Sequence, residues 1–363
     1  MWIISFILAL ILVAAVQVWF FRRYGFRKLS YKRWFEPEIA NEGDRIIMYE
    51  TVRNEKLLPL PWVRIEAQIS PNIDFGDAKA GAPGERHFQR SIFSLSPYMS
   101  ITRRHFITCT RRGYYKIPSV AISTGDLLGL GKRRVVEYET DSVLTVYPSI
   151  LPMEELFADK NSFTGDIVVR RWIVEDPFMI RGVRAYTSSD PYNHINWKAT
   201  ARTGELQVHD FDYTSDVRLM ILVNVDTASS QWTVSLDEPA SERALSLAAT
   251  VAQYAIDNGI ETGFACNGRM VGEDPKEQMF IAPQSGPEHL NAVFDGISRI
   301  LLQRTVNFHT FLQMQTPSIP ENCDLLLISA YTDDNIEEQI ELLRSSGRYV
   351  EVLNPSLGKG AAV

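Results

Sequence analysis

Apolar residues follow three different rhythms along this chain, and each rhythm predicts a different kind of structure. From Trp2 to Phe21 every position is apolar except Ser5 and Gln17, so no face is left for water. A helix of about 20 residues at 1.5 Å each matches a hydrocarbon core of about 30 Å, which makes this stretch a membrane span. Arg22, Arg23, Arg27, Lys28, Lys32 and Arg33 follow it at once, while nothing basic precedes it. That asymmetry predicts a single-pass anchor in the inner or plasma membrane with the C-terminal part in the cytoplasm. Trp2 at one end and Trp19, Phe20, Phe21 and Tyr24 at the other suit the two interfaces. A cleaved signal peptide would need positive charge ahead of a shorter run and a small-residue cleavage site.

The second rhythm, from Glu36 to about Ile150, is short alternation broken by Gly, Pro, Asn and Asp. It predicts strands near Arg45–Val52, Trp62–Ile69, Arg104–Thr110, Val120–Ser123 and Ser142–Tyr147, with Gly76–Arg86 as a loop. So many short strands suggest a sandwich of two antiparallel sheets, with a barrel as the alternative. The third rhythm begins at Val217. Leu219–Val225 is apolar but for Asn224, as in a parallel strand buried on both faces. A helix is expected from about Pro239 to Asn258, stopped by Gly259, with Ala244, Leu247, Val251 and Ala255 on its buried stripe. Short strands at Thr262–Ala265 and Met279–Ile281 come next, then a helix from Pro287 burying Leu290, Val293, Phe294, Ile297 and Leu301. The strand Leu325–Ser329, the helix Ile336–Leu343 and the strand Tyr349–Leu353 complete a doubly wound α/β pattern.

The fold class is therefore multi-domain α+β: an anchor at 1–23, a basic juxtamembrane linker at 24–35, a β-sandwich at 36–150, a connecting segment at 151–216, an α/β domain at 217–355 and a tail at 356–363. Composition supports this without adding to it, because 45% apolar and 22% charged residues are those of a globular protein. The charge of -7 disfavours nucleic acid as a partner, since phosphate binding wants a dense basic face. Three scattered cysteines, Cys109, Cys266 and Cys323, suggest neither a disulfide framework nor a zinc site.

The densest stretch lies in the connecting segment, from Arg184 to Leu206. Asp190-Pro191 is a turn that can cap a helical stretch from Tyr192 to Ala201, and Thr203-Gly204 can stop it. Ile195 and Trp197 are expected to anchor the stretch in the core, with a strand beginning at Leu206. Carried by Arg184, Tyr186, Asp190, Ile195, Trp197, Lys198, Ala201, Arg202, Thr203, Gly204, Leu206 and Phe211, the motif resembles the signature of the bacterial domain of unknown function 58 family. Arg111-Arg112-Gly113-Tyr114-Tyr115 and Gly125-Asp126-Leu127-Leu128-Gly129-Leu130 support the likeness. The chain departs from the family pattern at Ser189, Asn193, His194 and Asn196, which neutralises part of a charged network.

The resemblance implies an immunoglobulin-like sandwich followed by a von Willebrand factor A-like, Rossmann-type domain. It also implies a partner, a MoxR-type AAA+ ATPase, in the assembly or maturation of other proteins, and no catalytic activity of the chain's own. A von Willebrand A domain can hold Mg²⁺ on an Asp-x-Ser-x-Ser loop, because hard cations take carboxylate and hydroxyl oxygens. Here that loop reads Asp226-Thr227-Ala228-Ser229-Ser230, with Thr332 and Asp333 as further ligand candidates and Ala228 where a hydroxyl is wanted. A plain capping role for Asp226 competes with the metal reading. For Arg184, Tyr186, Asp190, Trp197, Lys198, Arg202, Thr203 and Gly204 two roles stay open, a buried ionic network built on Asp190, Lys198 and Arg202, or a partner surface. The six histidines form no metalloprotease motif, and neither a nucleophile elbow nor a phosphate loop is present. The expected function is a non-enzymatic membrane-anchored scaffold. The alternatives are a membrane-bound hydrolase using Asp190, His194 and Asp226, and a purely structural envelope component. The oligomeric state is not legible.

Overall fold

The structure is a computed structural model that describes residues 2–76, 87–126, 134–152, 180–187, 192–211, 218–228, 237–274 and 277–355. Contacts divide the chain into two units, Met1–Ser149 and Ile150–Val363.

The first unit opens with helix α1, Trp2–Tyr24, long and apolar enough to cross a membrane. Its apolar side chains point outward, Trp2 being 92% exposed, and within the helix only Phe21 is buried. Strand β1, Leu29–Glu36, follows within a few residues, inside the segment expected to be a basic linker. Arg33 consequently leaves the juxtamembrane charge cluster and lies buried in the domain. The remaining strands are β2 (Ile39–Asn41), β3 (Arg45–Asn54), β4 (Leu60–Ile69), β5 (Ile73–Asp74), β6 (His87–Leu95), β7 (Ser100–Cys109), β8 (Gly113–Thr124) and β9 (Arg134–Tyr147). They form two sheets, β1-β3-β7-β5 and β2-β9-β8-β4-β6. Alternation sends Met48, Val52 and Ile107 of one sheet and Val63, Ile65, Ile122 and Leu144 of the other into one shared core. All pairings are antiparallel except β2 with β9. Most of the loop expected at Gly76–Arg86 lies outside the described residues.

Among the described residues the first strands of the second unit are a hairpin-like pair, β10 (Ile180–Ala185) and β11 (Gln207–Phe211), antiparallel to one another. Between them lie a short 3-10 turn, Tyr192–His194, and helix α2, Trp197–Thr203. The main sheet then runs through β12 (Arg218–Val223), helix α3 (Glu238–Asp257), β13 (Glu261–Met270) and β14 (Gln278–Gln284). Helix α4 (Pro287–Arg299), β15 (Ile300–Arg304), helix α5 (Phe308–Gln315), β16 (Cys323–Ile328), helix α6 (Asp334–Ser345) and β17 (Val350–Leu353) complete it. Strand order is β14-β13-β12-β16-β17, with β15 also paired to β13. Pairings β13-β12, β12-β16 and β16-β17 are parallel, and β14 and β15 are antiparallel to β13.

Both faces of this sheet are covered, which is why β12 is almost wholly apolar. Leu219, Ile221 and Val223 pack with α3 and α4, while Met220 and Leu222 pack with α5 and α6. Gly259 ends α3 at φ 81°, a left-handed position that suits a residue without a side chain. Leu301, expected on the buried stripe of α4, belongs to β15 and is 38% exposed, because the helix stops at Arg299 and the chain turns into an extra strand.

Candidate functional site

In a doubly wound sheet, ligands and partners are met at the carboxyl ends of the strands, where the order reverses. The chain leaves β12 toward β13 on one side and returns to β16 on the other, so the reversal lies between β12 and β16. Past the end of β12 come Asn224, Val225 and Asp226, all buried. The Asn224 amide continues the ladder by donating to the Ile328 carbonyl at 2.9 Å. Its side-chain oxygen accepts from the Asp226 amide at 2.9 Å and from Asn267 Nδ2 at 3.1 Å, and its Nδ2 donates to Ser329 Oγ at 2.9 Å. Asn267, fully buried in β13, accepts from the Val225 amide through Oδ1 at 2.8 Å. Two asparagines thus tie the ends of three strands together, where unpaired polar groups would be costly.

The charge at this point is Asp226. Asn267 Nδ2 donates to its Oδ2 at 3.4 Å, and Arg304 Nη1, on β15, stands 3.6 Å from its Oδ1. At that separation the guanidinium is an ion-pair partner, and Oδ1 accepts no hydrogen bond among the described residues. Burial pushes the Asp226 carboxyl above its usual range; the Arg304 charge and the Phe308 amide pull it back, and Asp333 adds to the rise.

Of the other metal-ligand candidates, Asp333 caps α6, its Oδ1 accepting from the Ile336 amide at 2.9 Å and its Oδ2 from the Tyr331 hydroxyl at 3.1 Å. Thr332 is exposed, and Ser230 lies outside the described residues. Among the described residues no group of three or more His, Cys, Asp or Glu is placed to hold a metal ion.

The motif residues sit elsewhere in this unit. Asn196 caps the helix that forms, accepting from the Ala199 amide at 3.0 Å, and the Asp190-Pro191 turn expected to cap it lies outside the described residues. The expected single stretch from Tyr192 to Ala201 is broken at Ile195, which bridges to Val208 of β11. Gly204 ends α2 at φ 78°, donating to the Thr200 carbonyl, and Thr203 Oγ1 donates to Ala199 O at 3.2 Å and Glu205 O at 3.1 Å. Tyr186 stacks on Tyr192 with ring centroids 6.0 Å apart. Ile195 is buried as expected, but Trp197 is 68% exposed and no core anchor. In the helix Ala199 and Thr200 are half-buried, while Trp197, Lys198, Ala201 and Arg202 are exposed. Lys198 and Arg202 are likewise exposed, which excludes them from a buried ionic network, and Arg184 is exposed on β10. Asp190, the third member expected of that network and one of the expected hydrolase residues, lies outside the described residues.

A second buried charge cluster lies in the sandwich. Glu50 Oε1 accepts from Arg33 Nη2 at 2.8 Å and from the Tyr31 hydroxyl at 2.8 Å, and Oε2 lies 3.3 Å from His105 Nε2. Arg33 Nη2 also donates to Gln89 Oε1 at 2.7 Å. Burial alone would raise the Glu50 carboxyl, but the hydrogen bond with His105, the charge of Arg33 and the bonds of Ser91 and Arg33 outweigh it and hold it at about 2.

Residues missed from sequence are Asn267, Ser329 and Arg304 at the switch point, and Glu50 and His105 in the sandwich. Asn224 carried a signal as the one polar residue in the Leu219–Val225 run, and Asn267 carried a similar one beside Gly263–Cys266. Arg304 carried none, since its place depends on β15 pairing with β13 at Gly268.

Among solved structures, the chain is similar to the CARDB domain of a Pyrococcus furiosus protein, with 13% identity, TM-score 0.20, and coverage of 32% of this chain and 96% of that one. It is also similar to a non-cellulosomal cohesin of Archaeoglobus fulgidus, with 12% identity, TM-score 0.22, and coverage of 36% of this chain and 99% of that one. At these scores the likenesses carry no conclusion. The uncharacterized protein YeaD of Bacillus subtilis is 24% identical over 268 residues, which is 73% of this chain and 61% of the relative's own length. Residues 182–350, which hold the motif, the switch-point cluster and the parallel sheet, match the family model described as protein of unknown function DUF58.

Proposed function

We propose that this protein is a membrane-anchored, non-enzymatic adaptor that offers the 184–206 motif to a partner protein. The partner that the family resemblance implies is a MoxR-type AAA+ ATPase, and the task is assembly or maturation of other proteins. The observation that carries the reading is the outward face of α2. Trp197 is 68% exposed, and the side chains of Trp197, Lys198 and Arg202 make no hydrogen bond, ion pair or ring contact among the described residues. A large aromatic side chain kept in water stabilises nothing, whereas Trp and Arg supply much of the binding energy when a partner buries them. Their place on a helix with no buried residue fits a docking surface better than a buried ionic network.

The rest of the reading is consistent with this. Helix α1 would hold the protein in the membrane, and the basic residues from Arg22 to Lys32 would keep both units in the cytoplasm. The first unit's two sheets around one core support an immunoglobulin-like reading, and the parallel sheet with polar loops at its carboxyl edge supports a von Willebrand A-like one.

The test is capture of the purified MoxR-type ATPase of the same cell by the detergent-solubilised chain. The variant Trp197→Ala/Lys198→Glu/Arg202→Glu is expected to weaken capture at least about tenfold, equivalent to roughly 1.4 kcal/mol, with its unfolding temperature unchanged. Undetectable capture by the unaltered chain, or equal capture by the variant, would remove the reading.

A further inference from the structure

The loop after β12 stands where a hard divalent cation would bind in a von Willebrand A-like domain, and its residues test poorly for that ion. A divalent ion bonds a carboxylate oxygen at about 2.1 Å and needs about six oxygens around it. Among the described residues Asp226 has one oxygen free of hydrogen bonds, Oδ1. Beyond it, among the same residues, the supply is short. Both oxygens of Asp333 are committed, one to the Ile336 amide and one to the Tyr331 hydroxyl. The Ser329 hydroxyl is shared between Asn224 Nδ2 and the backbone of Tyr331. Ala228 has no oxygen in its side chain, and Thr332 is turned to solvent.

A positive charge is already in place. β15 runs antiparallel to β13 and sets Arg304 opposite Gly268, next to Asn267. The following residue, Thr305, donates to the Asn267 carbonyl through its amide at 2.8 Å and through Oγ1 at 3.0 Å, which fixes the backbone beside the site. From there the guanidinium reaches the switch point, with Nη1 3.6 Å from Asp226 Oδ1. Its side chain is 16% exposed and that of Asp226 is 6% exposed, so water screens the pair little. A divalent ion on Oδ1 would have to share one carboxylate oxygen with a fixed cation and would be repelled by it.

We infer that Arg304 is a built-in cation of the switch point, standing at the carboxylate oxygen a divalent ion would take, so that Asp226 and the asparagines around it keep their arrangement without bound metal. The extra strand β15 then has a purpose in the fold, since it carries a permanent charge to the sheet edge that in a metal-dependent site would be supplied from solution. The inference is independent of the docking reading, because none of its residues lies in the 184–206 motif.

The test uses the full chain in detergent after treatment with EDTA. Unaltered protein is expected to show no stoichiometric binding in a Mn²⁺ titration and to change its unfolding temperature by less than about 1 °C in millimolar Mg²⁺ or Mn²⁺. Arg304→Met keeps the apolar stem and removes the charge; it should unfold several degrees lower, by about 4 °C or more, and part of that loss should return with Mn²⁺. Arg304→Lys keeps a charge and should stay insensitive to metal. One Mn²⁺ bound per unaltered chain, or an Arg304→Met protein as stable as the parent and equally indifferent to metal, overturns the inference. Should Arg304→Met not fold, the titration of the unaltered chain decides.

Discussion

Glu50 in the sandwich and Asp226 at the sheet edge are both carboxylates taken out of water, and each faces one arginine, yet their acidities move in opposite directions. Glu50 is held at about 2, whereas Asp226 is raised above its usual range. Burial is common to both. Partners differ: Glu50 has Arg33 and Tyr31 on one oxygen and His105 at the other, while Oδ1 of Asp226 has, among the described residues, only a guanidinium 3.6 Å away. A low-dielectric interior strengthens whatever bonds are made and penalises whatever are missing, so the number of well-placed donors decides the sign. Glu50 therefore reads as a finished internal strut of the first unit. Asp226 reads as a charge kept short of partners at the place where such folds meet other molecules.

The largest effect should come from leaving Glu50 without its cation. Arg33→Ala is expected to cost about 3–5 kcal/mol in urea unfolding of the detergent-solubilised chain. The double change Arg33→Met/Glu50→Met should cost much less, because two buried charges leave together; equal losses would mean that the pair is not the strut inferred here.

Next comes acid. Glu50 falls from 4.5 to about 2 on folding, so its contribution is fully present above 4.5 and is lost as pH falls toward 2, an amount of roughly 3 kcal/mol. Asp226 has the opposite sign, favouring the fold below its unfolded value and disfavouring it as pH rises through its raised folded value. Unfolding followed from pH 6 to pH 2 should therefore show a shallower acid loss in Glu50→Gln and a steeper one in Asp226→Asn, and slopes in the same direction would break the contrast.

The smallest effect is expected at the motif. Trp197→Ala should change stability by no more than about 0.5 kcal/mol, since the side chain buries little. A drop of several kcal/mol would return Trp197 to the core that its composition suggested.

Much of the architecture was legible because periodicity reports burial directly. The apolar run of α1, the alternation in β3, β4, β7 and β9, the Gly259 stop of α3 and the Pro287 start of α4 all appear at or near their expected places. Less of the site was legible. Gly204 announced a helix stop that the structure contains, but Trp197 looked like an anchor and is not one, since hydrophobicity says nothing about which side of a short helix meets the core. Arg33 looked like part of a membrane-proximal basic cluster, and the pattern did not reveal that β1 begins at Leu29.

The sequence by itself determined an N-terminal helix long and apolar enough to span a membrane, a β-rich unit, an α/β unit and the likeness to one family through one compact motif, because each depends on residues near one another in the chain. Only the tertiary structure decided that Arg33 meets Glu50, that Arg304 meets Asp226 and that the motif helix faces water. Those contacts join strands brought together by sheet pairing, and a charge chooses its partner by distance in space once water has been removed, which no local pattern encodes.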